Sequence, residues 1–133
     1  MPWTLSNSQY VIITLLGAAL WAVATLMVRM LDALGALGGV PSLVVFALTI
    51  PLGFATMFVF RWIARVPWSA MAIAITWGTC VAHVLDAMAF TYAPQLFSTD
   101  PDVVRAGAGA IFFGAAAGMW AAIWASQAWG DEA

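Results

Sequence analysis

Charged residues make up only 8% of the 133-residue chain, where a soluble domain carries about 25%. That deficit excludes an ordinary soluble protein. Four arginines face six carboxylates for a net charge of −2, with no basic cluster, so nucleic acid is excluded as a partner. The single cysteine, Cys80, lies in a hydrophobic run; it rules out an internal disulfide and says nothing about redox compartment. The single histidine, His83, rules out a site built from several imidazoles. Glycine-rich dinucleotide loops, P-loops and HExxH are missing. No serine stands near His83 at a nucleophile–base spacing, and Cys80, three residues before it, reads as inert packing. The chain therefore reads as a protein without catalytic activity or a metal site of its own.

What the sequence does contain is apolar: 65% of residues are hydrophobic and the mean hydropathy is +0.99. A membrane helix needs about 20 such residues in a row. The stretches Tyr10–Val28, Pro41–Phe60, Trp68–Tyr92 and Arg105–Ser126 qualify. Helix is the available conformation, because lipid offers no partner to an unpaired backbone. The links RMLDALGALGG, RWIARVP and APQLFSTDPDVV are short, which makes neighbouring helices antiparallel. Ser98-Thr99-Asp100 before Pro101 reads as a helix cap opening the fourth span. The expected fold is all-α, a single domain over residues 1–133, an integral membrane up-down four-helix bundle. No lysine or arginine precedes the first span, and its apolar run exceeds that of a signal peptide, so the span is expected to be retained.

Orientation follows from arginines and aromatics. Arg61 and Arg65 share the second link; Arg29 and Arg105 lie on the opposite side with Asp32, Asp100 and Asp102. The count ties, and the compact arginine pair with the amino terminus tips both termini to the cytoplasm. Trp3, Tyr10, Trp62, Trp68, Trp124 and Trp129 fall on that side as an interfacial belt. Trp21, Trp77 and Trp120 lie deeper, where an indole N–H needs a partner; a pigment or quinone neighbour is the sharper reading of them.

Ala106, Ala110, Gly114, Gly118, Ala122 and Ser126 recur every four residues in the fourth span, and Gly114–Gly118 is a GxxxG. Such small residues let helix backbones approach closely, here expected within the bundle. Pro51 interrupts the second span, where a kink is expected and Thr49 can satisfy the freed carbonyl of Ala47.

The polar residues inside the third span carry the functional question. Asp86 lies about 9 Å beyond the centre of that span and His83 about half as far, and their spacing of three puts both on one face. An ionised carboxylate there costs roughly 2.5–3.5 kcal/mol unless paired or hydrated. Arg29, closing the first span, and Arg105, opening the fourth, are the expected partners of Asp86 in an intramembrane polar cluster. Three roles are open: interhelical glue, a proton-linked or substrate site, or a single axial ligand, His83, to haem or chlorophyll.

The segments LWAVATLMVRM, in the first span, and HVLDAMAFTYAPQLF, closing the third, resemble a family of small four-span bacterial membrane proteins of unknown function (DUF5367). In that family an arginine closes span one, and Leu-Asp-Gly followed by aromatics and proline closes span three. Arg29, Leu85, Asp86, Tyr92 and Pro94 stand at the matching positions, with Ala87 in place of the glycine. The resemblance implies a bacterial inner-membrane protein and no particular activity. Small multidrug transporters are similar in size and span number, but they carry an essential glutamate in the first span, which has no acidic residue in its apolar part here.

The expected function is a non-catalytic accessory or stabilising subunit of a larger membrane complex, with lipids and other integral membrane subunits as partners. A small oligomeric proton-coupled transporter is the alternative, and a pigment- or haem-associated subunit of a photosynthetic or respiratory complex is the third.

Overall fold

Ser6 and Gln9 start the first helix. The Gln9 amide donates to Ser6 Oγ at 3.3 Å and the Ser6 amide donates to Gln9 Oε1 at 2.9 Å, a reciprocal cap that satisfies two otherwise free donors. The Gln9 side-chain amide also donates to the Ala64 and Arg65 carbonyls at 3.2 and 3.1 Å. One side chain thus starts one helix and closes the end of the next, tying the two antiparallel. These features belong to a computed structural model that describes residues 4–130. Trp3, assigned above to the aromatic belt, lies outside the described residues.

The chain forms α1 (Asn7–Ala33), α2 (Gly39–Ala64), a 3₁₀ turn (Trp68–Ala70) leading into α3 (Met71–Tyr92), a second 3₁₀ turn (Pro94–Leu96) and α4 (Pro101–Ala128). Gly35 ends α1 at φ +65°. There the Ala36 amide donates to the Leu31 carbonyl and the Gly35 amide to that of Asp32, a left-handed glycine stop that satisfies the last carbonyls. Asp100 caps α4 by accepting from the Asp102 amide at 2.8 Å, with Pro101 in the first turn. α2 runs as one helix through Pro51. The Thr49 hydroxyl donates to the Phe46 carbonyl rather than to that of Ala47.

Four spans of 27, 26, 25 and 28 residues are long and apolar enough to cross a membrane. At 1.5 Å per residue each exceeds the ~30 Å hydrocarbon core. The fold is an all-helical, multi-pass membrane four-helix bundle.

Which helices pack together does not follow chain order. α1 lies along α3, α3 against α4, and α4 along α2, while α2 and α1 meet only lightly. Glycines set the two closest seams. A Cβ at Gly17 would stand 2.5 Å from the Gly78 carbonyl oxygen, and a Cβ at Gly53 2.9 Å from the Gly118 amide nitrogen. The backbones of α1 and α3, and of α2 and α4, therefore approach as only glycine permits. Around the first seam, at the end holding both described termini, Ile13, Met57, Phe60, Met71 and Ile75 pack in one buried cluster. A second cluster of Val28, Leu37, Ala89 and Phe97 closes the other end. Trp68, Trp124 and Trp129 pack edge-on at the first end, with the Arg61 guanidinium 4.7 Å above the Trp68 ring.

Candidate functional site

α3 carries His83 and Asp86 one turn apart. Asp86 is almost fully buried, at 1% exposure. His83 Nδ1 stands 3.2 Å from Asp86 Oδ2, and the edge of the His83 ring meets Phe112 of α4 at 5.0 Å between centroids. The imidazole is thus held on two sides, by its own helix and by α4.

The expected arginine pairing of Asp86 is not made. Arg105 donates instead to Asp102 at 2.9 Å, on the exposed first turn of α4. Arg29 is exposed and forms no hydrogen bond or ion pair among the described residues. Asp32, one turn from Arg29, accepts a 2.6 Å bond from the Ser98 hydroxyl instead. The physical reason is direction as well as depth. Asp86 faces the side of α1 that carries Trp21, and Arg29 lies eight residues, about 12 Å, further along that helix. A guanidinium that stays at the interface keeps its hydration, and drawing it inward would desolvate it.

Trp21 takes the place intended for arginine. Its indole approaches the Asp86 carboxylate closely enough to interact with it. Yet indole Nε1 and Asp86 Oδ1 are both buried without a partner in good hydrogen-bond geometry. A buried polar atom left unsatisfied costs about 1–3 kcal/mol. The indole N–H and the carboxylate thus stand as an imperfectly aligned pair, with no accessible surface on either atom. The other deep tryptophans differ: Trp77 donates to Thr14 Oγ1 at 3.0 Å, and Trp120 is 78% exposed.

Other atoms of both side chains contribute to the lining of a cavity of about 460 Å³. Its walls are α1 (Leu20, Met27, Leu31) and α2 (Val45, Leu52, Val59), and its floor is α3 and α4. Because α1 and α2 scarcely touch, the cavity opens sideways between them, toward the hydrocarbon of a surrounding bilayer. His83, Thr49, Thr56 and Thr79 are the other polar side chains of the lining.

Of the small residues of α4, Gly114 lies against Thr49 and Gly118 against Gly53, both in the α2 seam; Ala110 and Ala122 are buried. Ala110, Gly114 and Gly118 also line the cavity floor. Cys80 is exposed. Among the described residues no serine, threonine or cysteine side chain is hydrogen-bonded to His83 or Asp86, and no three His, Cys, Asp or Glu residues gather where they could hold a metal ion. With Nδ1 turned to Asp86, His83 has one nitrogen left, enough for one axial bond. The arrangement can exchange a proton between His83 and Asp86.

Sequence reading missed Trp21 as the neighbour of Asp86. The available signal was a tryptophan at the centre of a span, whose N–H needs a partner. Comparison of the chain with protein-family models, with characterised proteins and with solved structures gives no match.

Proposed function

We propose that the protein is a non-catalytic accessory or stabilising subunit of a larger assembly in the bacterial inner membrane, with both termini in the cytoplasm. The observation that carries this reading is the outer face of α4. Trp120 is 78% exposed there and makes no hydrogen bond among the described residues, with Phe113 and Trp124 exposed along the same stripe. It lies about 8 Å from the midpoint of α4, inside the ~15 Å half-thickness of the hydrocarbon. Indoles favour the interface, where the N–H meets water or head groups. At this depth lipid tails offer it nothing, whereas a neighbouring subunit can supply an acceptor and a packing surface. Exposed tryptophan is also the side chain most enriched where subunits bind.

The test is purification of the tagged chain from native membranes in mild detergent, with mass spectrometry of what accompanies it. A stoichiometric membrane subunit is expected, with its recovery lowered at least tenfold by Trp120→Ala. A chain that purifies alone, or a partner retained by the variant, refutes the docking face. The bacterial setting rests on the resemblance of two short segments to the four-span family, and the orientation on Arg61 and Arg65.

The buried Asp86 beside a cavity favours a second reading, a small proton-coupled transporter working as an oligomer. Asp86→Asn separates the two. Lost transport with unchanged folding supports the transporter, and lost assembly supports the subunit. An absorption spectrum of the purified protein tests haem or chlorophyll on His83.

A further inference from the structure

We propose that the groove at the end of α2, between Arg61 and Arg65, binds the phosphate of an anionic phospholipid whose acyl chains run over Phe58 and Trp62. The inference rests on the end of α2 alone and holds or fails independently of the subunit reading.

Depth sets the class of ligand. Counted at 1.5 Å per residue from the midpoint of α2, Arg61 lies about 14 Å and Arg65 about 20 Å out. With α2 centred in a bilayer, the hydrocarbon ends about 15 Å from the centre and the head groups about 20–22 Å from it. Both arginines therefore stand in the layer that holds lipid phosphates.

Charge sets the head group. Arg61 and Arg65 are exposed and line one open groove of about 680 Å³ with Phe58, Trp62 and Val66. Neither arginine forms an ion pair among the described residues. Two like charges about one turn apart repel, and an anion between them removes the repulsion. The carboxylates of the described residues, Asp32, Asp86, Asp100 and Asp102, all belong to the opposite half of the bundle. At the arginine end the described residues thus offer nothing to the ammonium of a zwitterionic lipid.

Geometry favours a phosphate held in place over a loose cloud of counterions. The Arg61 guanidinium is positioned before any ligand arrives. It lies 4.7 Å above the Trp68 ring and donates to the Val66 carbonyl at 3.3 Å. Trp68 is itself braced edge-on by Phe58 and Trp129, at 5.7 and 4.7 Å between ring centroids. The guanidinium donors not given to Val66 are free for phosphate oxygens. A fork that is already fixed loses less freedom on binding.

The apolar side sets the rest of the ligand. Phe58, about 10 Å from the midpoint of α2, lies within the hydrocarbon, and Trp62 lies at its edge. They are 53% and 83% exposed. Basic grooves at the head-group level suit anionic lipids. A soluble phosphate compound would use the arginines and leave Phe58 and Trp62 bare, whereas a lipid covers both.

Native mass spectrometry of the full-length protein in detergent reads bound lipids one at a time. The unmodified chain is titrated with dioleoylphosphatidylglycerol, with dioleoylphosphatidylcholine, which has the same tails, and with glycerol phosphate. One phosphatidylglycerol per chain is expected, held at least tenfold more tightly than either other probe. Arg61→Lys keeps the charge but loses the fork and the ring stacking, and is expected to weaken that binding at least fivefold. Arg65→Asn removes the charge with a residue that accepts the left-handed backbone found there, at φ +51°, and is expected to weaken it at least tenfold. Arg29→Ala, at the other end of the bundle, is expected to change nothing. Equal retention of phosphatidylcholine means that the tails alone are held. Equal retention of glycerol phosphate makes the groove a site for soluble anions. An equal loss with Arg29→Ala reduces the effect to general attraction of charge, and unchanged binding in either groove variant places the lipid elsewhere. Each of these outcomes overturns the proposal. The three probes are compared on the unmodified protein, so a variant that fails to fold leaves the test intact.

Discussion

Alanine at Gly17 places its Cβ 2.5 Å from the Gly78 carbonyl oxygen and 3.1 Å from Gly78 Cα. Both obstacles are helical backbone, so no side-chain rotation relieves the clash and α1 must move away from α3. Forcing extra atoms into a packed seam costs about 1–3 kcal/mol. Alanine at Gly118 is the control. Its nearest obstacle, Gly53 Cα, is 3.5 Å away, an ordinary contact. Both substitutions gain the same intrinsic preference of alanine for helix, about 1 kcal/mol, which cancels in the comparison. Gly17→Ala is therefore expected to be less stable than Gly118→Ala by about 1–3 kcal/mol, roughly 5- to 150-fold in the folded-to-unfolded ratio. Unfolding of the detergent-solubilised variants, followed by circular dichroism, measures the difference. Equal stabilities would refute the glycine seam between α1 and α3. A more damaging change at Gly118 than at Gly17 would return the central role to the GxxxG of α4.

Ser98→Ala removes the 2.6 Å hydroxyl bond to Asp32 that joins the link before α4 to the end of α1; a loss of about 1–3 kcal/mol is expected in the same unfolding assay. Asp100→Ala removes the α4 cap and is expected to cost about 1 kcal/mol, visible as faster amide exchange in the first turn of α4. Arg29→Ala is expected to change stability by less than about 0.5 kcal/mol, because that side chain is exposed and unbonded among the described residues; a loss comparable to that of Asp86→Ala would restore the arginine pairing. Alkaline phosphatase fused after Ala133 is expected to be inactive, and activity would reverse the proposed orientation.

Number and class of helices were legible because both rest on quantities that the chain displays in one dimension, the length and apolarity of its runs. Asp100 before Pro101 was legible as a cap for the same reason, since capping is local. Ser6 and Gln9 carried an equally local signal that went unread. The pairing of the helices was not legible. Short links make neighbours antiparallel but leave open which helices touch, and that choice falls to Gly17, Gly53 and Gly78, which sit singly in their spans and form no repeat. Asp86 shows the same divide. Its depth follows from residue count, whereas its direction depends on how α3 is rotated against α1, and that rotation is set by the contact of Gly17 with Gly78.

The open side of the bundle follows from the same glycines. They draw α1 onto α3 and α2 onto α4, while the surfaces that α1 and α2 turn toward each other carry Leu20, Met27 and Leu31 against Val45, Leu52 and Val59. Side chains of that size keep the two backbones apart. In water a gap between two such walls would close, because apolar surface is driven out of contact with solvent. In a bilayer that force is missing, since lipid tails solvate leucine as well as leucine does. An apolar cleft is therefore a stable feature of this bundle rather than a defect in its packing. Trp21 and Asp86 are the groups that lipid tails cannot satisfy. Their polar atoms have no accessible surface and lie toward each other, so the surface that lipid tails meet in the cleft is apolar apart from His83, Thr49, Thr56 and Thr79.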